Sequence, residues 1–303
     1  MTELLFTTKD VANMLRVDKS TVKRWTDEGK LKCFRTPGGH RKFRAEDLTR
    51  FMAEYNYNVS PTDAFPKYAS DESIIRAIIA QKEFHILESV CFSAAIKGSK
   101  DELMTLLLAG YRNGMSLALI FDNIFRPTVT RISDLHRSGK LQVSERQLAL
   151  NSLANAVILL SDVMTKPTPN GKRIICAMVE NDLDDLELKA LNILLESQGS
   201  EILNLGAGSS TDSVAHLVQI KQPHFVFLLA SAPHHEDNFV VEHQKICDVL
   251  RTYGGKLIIG GPGYTPELMS GKLDGLFDMY CASFKEFAAV LNEKYELKKK
   301  EKE

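Results

Sequence analysis

Apolar positions along this 303-residue chain change their spacing twice, and each change marks a different kind of structure. Near the start, Val11, Met14 and Leu15 fall on one face of a short helix, and Val22 and Trp25 on one face of a second spanning 20–28. Thr7-Thr8-Lys9-Asp10 is a capping-box pattern that opens the first helix, and Val17-Asp18 makes a tight turn before the second. Residues 31–43 then form two strand-like runs around Thr36-Pro37-Gly38-Gly39-His40, a hairpin turn sequence. From 71 to 164 the period is helical throughout, in segments 74–81, 86–96, 103–111, 117–135 and 148–164, with Gly98, Gly114 and Gly139 at the breaks. This predicts a helical bundle, with Pro127 expected to bend its longest member.

A second change follows Lys166-Pro167-Thr168-Pro169-Asn170-Gly171. Short β-prone runs at 173–179, 201–205, 225–229, 256–260 and 275–280 alternate with amphipathic segments at 183–197, 211–221, 240–252 and 284–298. Five such alternations predict a doubly wound, flavodoxin-like parallel sheet, so the fold class is multidomain α and α/β. Ligands of such sheets bind beyond the carboxyl ends of the strands. Here those ends are 180–182, 206–209, 231–237 and 260–263. Between 56 and 70 the pattern loses its period and collects Ser60, Pro61, Asp63 and Pro66, the mark of a linker. The expected division is 1–55, a linker at 56–70, a bundle at 71–165 and the sheet domain at 166–303.

A formal net charge of −1 conceals a local field. Between Lys19 and Arg44 there are nine Lys or Arg against only Asp27 and Glu28, a balance of 9 − 2 = +7. Lys19, Ser20, Thr21, Lys23 and Arg24 occupy the first half of the second helix, where a recognition helix meets base edges and phosphates. Lys32, Arg35, Arg41, Lys42 and Arg44 flank the glycine turn, making a basic wing. So basic a hairpin gains little by folding onto a core, and its natural partner is a polyanionic backbone. The expected contacts to double-stranded operator DNA are Lys19, Thr21, Lys23, Arg24, Arg35, His40, Arg41 and Lys42, with Arg41 expected on phosphate.

The five cysteines form no C-x-x-C pair and lie mostly in apolar runs, which implies a reducing compartment. No signal sequence or membrane-spanning run is read, so the expected location is the cytoplasm. The basic end Lys298-Lys299-Lys300 is read as a solvated helix terminus.

Residues 6–52, with Thr36-Pro37-Gly38-Gly39-His40-Arg41 in the wing, resemble the DNA-binding domain of MerR-type transcription regulators. That resemblance implies a dimer or higher assembly on a repeated operator. A bundle feeding a five-stranded doubly wound domain is in turn similar to the cobalamin-binding module of corrinoid methyltransferases. The light-responsive MerR-type regulators of the CarH and LitR kind carry the same module as their sensory half. In that family the loop after the first strand carries D-x-H-x-x-G, whose histidine ligates cobalt. This chain has Asp182 at the first position, Asp184 in place of the histidine and Glu187 in place of the glycine. It keeps Ser231 of the S-x-L motif, with Pro233 at the leucine position, and keeps Gly260-Gly261. The tryptophan and the Glu-His pair that face the corrin from the bundle correspond to His136, Arg146 and Gln147.

The resemblance thus implies a cobalamin scaffold without its cobalt-facing residues. Asp182, Asp184, Glu187, Ser231, His234, Gly260, Gly261 and His136 are the candidate crevice residues, and histidine-ligated cobalamin is not expected. The alternatives are a regulator binding cobalamin without a protein histidine, a corrinoid methyl-transfer subunit, and a protein-binding scaffold that co-assembles with a related regulator. The basic winged head favours regulation over enzymatic activity.

Three further clusters invite chemistry. His234 and His235, with His224 and His243 nearby in sequence, lack the i, i+4 spacing of a helical metal pair and read as a polar loop that lines the crevice. Gly206-Ala207-Gly208-Ser209-Ser210 precedes a helix as a phosphate-binding turn does, but it follows the second strand and lacks the full glycine fingerprint. Asp182, Asp184, Asp185 and Glu187 form an acidic edge, read as a helix start whose charges complement the dipole.

Overall fold

The computed structural model describes residues 5–15, 17–44, 47–48, 50–51, 55, 72–164, 167–233 and 236–291; the expected linker at 56–70 lies outside them. The chain forms two compact units, residues 1–156 and 157–303.

In the first unit, the head has the order β1 (Leu5–Thr7), α1 (Thr8–Met14), α2 (Lys19–Asp27), β2 (Phe34–Arg35) and β3 (Arg41–Arg44). The capping box forms: the Asp10 amide donates to Thr7 Oγ1 at 3.2 Å and the Thr7 amide donates to Asp10 Oδ2 at 2.8 Å. β1 is a strand the apolar spacing did not announce. It pairs antiparallel with β3, setting Phe6 opposite Phe43, and the sheet order is β1-β3-β2. Both phenylalanines are buried, with Val11, Leu15, Val22, Trp25, Leu31, Leu48 and Phe51. The Trp25 ring lies 4.9 Å from that of Phe51.

The bundle of the same unit contains α3 (Glu72–Gln81), α4 (Phe84–Ile96), α5 (Lys100–Arg112), α6 (Leu117–Ile120), a π turn (Phe121–Phe125), α7 (Arg126–Arg137) and the first part of α8 (Val143–Asp162), which runs past the unit's last residue, Ala156. Gly98, Gly114 and Gly139 adopt the left-handed conformation that stops a helix. The expected bend at Pro127 takes the form of the π turn just before it, which changes the hydrogen-bond register where proline has no N–H to give. Phe121 and Phe125 from that turn are fully buried, ring edge to ring face at 5.7 Å.

The second unit contains β4 (Arg173–Met178), α9 (Leu186–Glu196), β5 (Glu201–Gly206), α10 (Thr211–Lys221), β6 (Phe225–Leu229), α11 (Glu236–Arg251), β7 (Lys256–Gly260), α12 (Pro266–Ser270), β8 (Met279–Cys281) and α13 (Phe284–Val290). All strand pairs are parallel, in the order β5-β4-β6-β7-β8. The order reverses between β4 and β6, which opens the switch point where such sheets bind ligands. The central strands are buried on both faces, hence their unbroken apolar runs. The last strand is shorter than 275–280 because Gly275 turns left-handed and the strand starts only at Met279. Residues 292–298 of the last expected helix lie outside the described residues. No helix among the described residues is long and apolar enough to cross a membrane.

Candidate functional site

In the head, burying Val22 and Trp25 turns Lys19, Ser20, Lys23 and Arg24 outward; Thr21 is half-buried. The first turn of α2 carries no acidic residue, so its positive dipole end is not neutralised by a side chain of that turn. The wing closes through the Thr36 amide, which donates to the His40 carbonyl at 3.0 Å, and the Gly39 amide, which donates to the Thr36 carbonyl at 2.8 Å. Gly39 has φ +79°. Nothing lies within 4 Å of where its Cβ would stand, so glycine is required there by backbone conformation rather than by crowding.

Arg35 and His40 are exposed and Lys42 is half-exposed. Arg41 differs: its side chain is only 16% exposed, and its Nη2 lies 2.5 Å from Asp27 Oδ1 at the end of α2. That ion pair fastens the wing to the helix. Sequence reasoning also passed over Phe34, which is exposed on the wing beneath the Arg44 guanidinium, 5.9 Å from the ring centroid.

At the carboxyl end of the second unit's sheet, Asp182 and Ser231 meet across the switch point. Asp182 is buried; its Oδ2 accepts the Ser231 amide at 2.6 Å, and its Oδ1 accepts the Ser231 hydroxyl at 2.7 Å and the Asp184 amide at 3.1 Å. Asp184 Oδ1 faces the Leu186 amide at the start of α9, at 3.5 Å. Glu187 is half-buried in the first turn of α9, where Asp185 pairs with Lys189. Part of the acidic edge therefore serves the loop and helix start themselves.

Gly260 and Gly261 are explained without a ligand. A Cβ on Gly261, at φ +98°, would stand 2.4 Å from the Ala230 carbonyl oxygen, and one on Gly260 would stand 2.3 Å from Phe287 Cζ. Gly261 is thus pressed against the exit of β6, and Gly260 against Phe287 of α13 and the Cys281 carbonyl of β8.

The glycine turn after β5 carries an anion of the chain's own. Glu180 Oε2 accepts the Thr211 amide at 3.0 Å and its hydroxyl at 2.7 Å, so a carboxylate sits at the N-terminus of α10 where a phosphate would bind. These bonds hold the Glu180 carboxyl below its usual range. The Glu180 amide donates to Glu242 Oε1 at 3.0 Å, and burial pushes the Glu242 carboxyl up to about 7. Next to it, fully buried His243 is pushed down to about 4 by burial. Its Nδ1 donates to the Phe239 carbonyl at 2.6 Å, which leaves Nε2 to accept the Tyr264 hydroxyl at 3.0 Å. No local signal marked Glu180, Glu242 or Tyr264, because their partners lie 21 to 62 residues away.

The remaining expectations scatter. His136 lies in the first unit, its Nδ1 3.0 Å from the Leu141 carbonyl. Arg146 is half-buried and Gln147 exposed on α8. His234 and His235 lie outside the described residues. His224 is at the opposite end of the sheet, accepting the Arg173 amide at 3.1 Å, and His243 is core, so the histidines near in sequence do not gather. Among the described residues no three His, Cys, Asp or Glu side chains are grouped to hold a metal ion.

The family model for a helix-turn-helix domain matches residues 5–56. The transcriptional repressor DcmR of Methylorubrum extorquens (strain DSM 6343 / CIP 106787 / DM4) is 25% identical over 185 residues, covering 56% of this chain and 67% of the repressor. The Methanosarcina barkeri monomethylamine corrinoid protein superposes with a TM-score of 0.54 at 15% identity, over 66% of this chain and 94% of that protein. The chain thus joins a helix-turn-helix domain to the fold of a corrinoid protein.

Proposed function

We propose that this protein is a sequence-specific DNA-binding transcription regulator of the MerR type, not an enzyme, acting as an oligomer. The observation that carries the reading is the basic outer face of α2 set beside the basic wing, two elements that one ion pair holds together. The helix-turn-helix match over residues 5–56 and the likeness to a transcriptional repressor support it. Lys19, Thr21, Lys23 and Arg24 meet the major groove, and Arg35, His40 and Lys42 meet the flanking backbone.

Selecting bound fragments from a random duplex library and titrating the best one against salt tests this. Arg35→Ala and Lys42→Ala are each expected to weaken binding across sequences and to reduce the salt slope by about 1. The pair with Asp27 changes the expectation for Arg41: Arg41→Ala and Asp27→Ala are expected to weaken binding alike, with the slope unchanged. No fragment retained at low salt would overturn the reading.

The second unit does not fit cobalamin ligated by a histidine. At the ligand position stands Asp184, whose carboxylate faces the Leu186 amide, while both oxygens of Asp182 are taken by Ser231. The module serves assembly or the sensing of something else. Purified protein mixed with adenosylcobalamin in the dark and then desalted is expected to emerge colourless. Coloured protein whose assembly changes in light would support instead a regulator that binds cobalamin without a protein histidine.

A further inference from the structure

The two acids of the basic stretch between Lys19 and Arg44 both stand at the end of α2. One is accounted for, since Asp27 binds Arg41 of the wing. The other, Glu28, caps the C-terminus of the helix, where the dipole is negative and an acidic side chain is the least favourable kind. Such a residue needs a reason to be there. Its two carboxylate oxygens are divided between two cations: Oε2 lies 2.7 Å from Lys30 Nζ, and Oε1 lies 3.9 Å from Arg24 Nε, one helical turn back. Lys30 foremost, and Arg24 with it, hold the Glu28 carboxyl below its usual range.

Arg24 is therefore a cation on the outer face of α2 that has an acid at its side, while Lys23 next to it makes no ion pair among the described residues. The two meet DNA differently. Lys23 brings a point charge that any phosphate satisfies. Arg24 is 67% exposed and within reach of DNA, but to bind there it must either leave Glu28 or carry the carboxylate toward a polyanion. Both routes oppose binding. A phosphate offsets little of that opposition, because the guanidinium exchanges one oxyanion for another. A guanine edge offsets more, since its O6 and N7 accept two N–H groups in one plane, the geometry of the arginine fork.

We infer that Glu28 is a positioning residue for sequence discrimination, which holds Arg24 back from phosphates and releases it to a guanine edge. Lys30, bonded to the other oxygen, keeps the carboxylate in place. Its effect is exerted against the wrong sequences rather than toward the right one. The inference rests on the reading of the head as a DNA-binding domain.

The test is fluorescence anisotropy of the full chain at one salt concentration, with the best duplex selected from the random library and a scrambled duplex of the same length. E28Q keeps the length of the side chain and an oxygen for Lys30 while removing the charge. It is expected to melt like wild type, to bind the scrambled duplex roughly three- to tenfold more tightly, and to stay within about twofold of wild type on the selected one. Discrimination falls accordingly. Two backgrounds separate this from a general loss of negative charge: E28Q is expected to lower discrimination in K23A as it does in wild type, and to leave it unchanged in R24A. If E28Q melts early, E28D makes the same comparison, because it keeps the charge and withdraws it from Arg24 by one methylene. Both duplexes tightening alike, discrimination unchanged in E28Q, or a loss of discrimination that persists without Arg24 would each overturn the inference and leave DNA binding intact. Wild type that retains no duplex at low salt would instead overturn the reading on which it rests, and the inference with it.

Discussion

Trp25→Ala is expected to unfold the head and abolish DNA binding while the sheet unit melts unchanged. Trp25 is 8% exposed and packs against Phe51, itself 2% exposed. Truncating a buried tryptophan costs about 3–5 kcal/mol. A head of about 50 residues has little stability to lose, because a small domain buries a small fraction of its surface. The helix carrying Lys23 and Arg24 is held to the head by two buried side chains, Val22 and Trp25, so loss of the ring frees the basic face along with the core. Calorimetry and anisotropy with a labelled duplex check this together. A head transition that survives, with binding within tenfold of wild type, would show that Val22 and the capping box suffice.

The second large effect concerns how the sheet unit responds to pH. Glu242 is raised from 4.5 to about 7 in the fold, so between those values the native protein keeps a proton that the unfolded chain has released, and stability falls as pH rises. His243 is lowered from 6.5 to about 4, so in that window the unfolded chain binds a proton that the native protein refuses, and stability rises with pH. The two slopes oppose each other over most of the same range. Wild type is expected to be nearly level there, as far as this pair is concerned. Glu242→Gln keeps an acceptor for the Glu180 amide and leaves the histidine uncompensated. The unit should then gain up to about 3 kcal/mol as pH rises from about 4 to 6.5. His243→Asn should show the reverse slope, losing up to about 3 kcal/mol between 4.5 and about 7. Urea titrations at fixed pH values read the sign of each slope even if the level of stability also shifts. Parallel slopes in the two variants would refute the compensation.

What the sequence made legible was whatever rests on local period. The two helices of the head, the wing and the five parallel strands follow from apolar spacing and turn residues, and α10, β6 and β7 fall where that spacing puts them. β1 escaped because three residues are too few to show alternation; only pairing with β3, far along the chain, makes it a strand. The role of Arg41 escaped for a related reason. Nothing local to the basic wing announces that Arg41 pairs with Asp27, fourteen residues earlier. In the sheet unit, Asp182 and Ser231 were legible as motif positions, but Glu180 looked like one more acid on a polar loop. Its partner Thr211 is 31 residues away, and no periodicity encodes that distance.

The carboxylate at the start of α10 can be viewed as a ligand tethered to its own receptor. Glu180 is joined to the helix N-terminus it occupies through the folded helix and strand α9 and β5, so its effective concentration there is set by the fold rather than by the surrounding solution. A free phosphate would have to outcompete a group that never diffuses away. The fold therefore carries that position already occupied, and a free anion could take it only by displacing the Glu180 carboxylate.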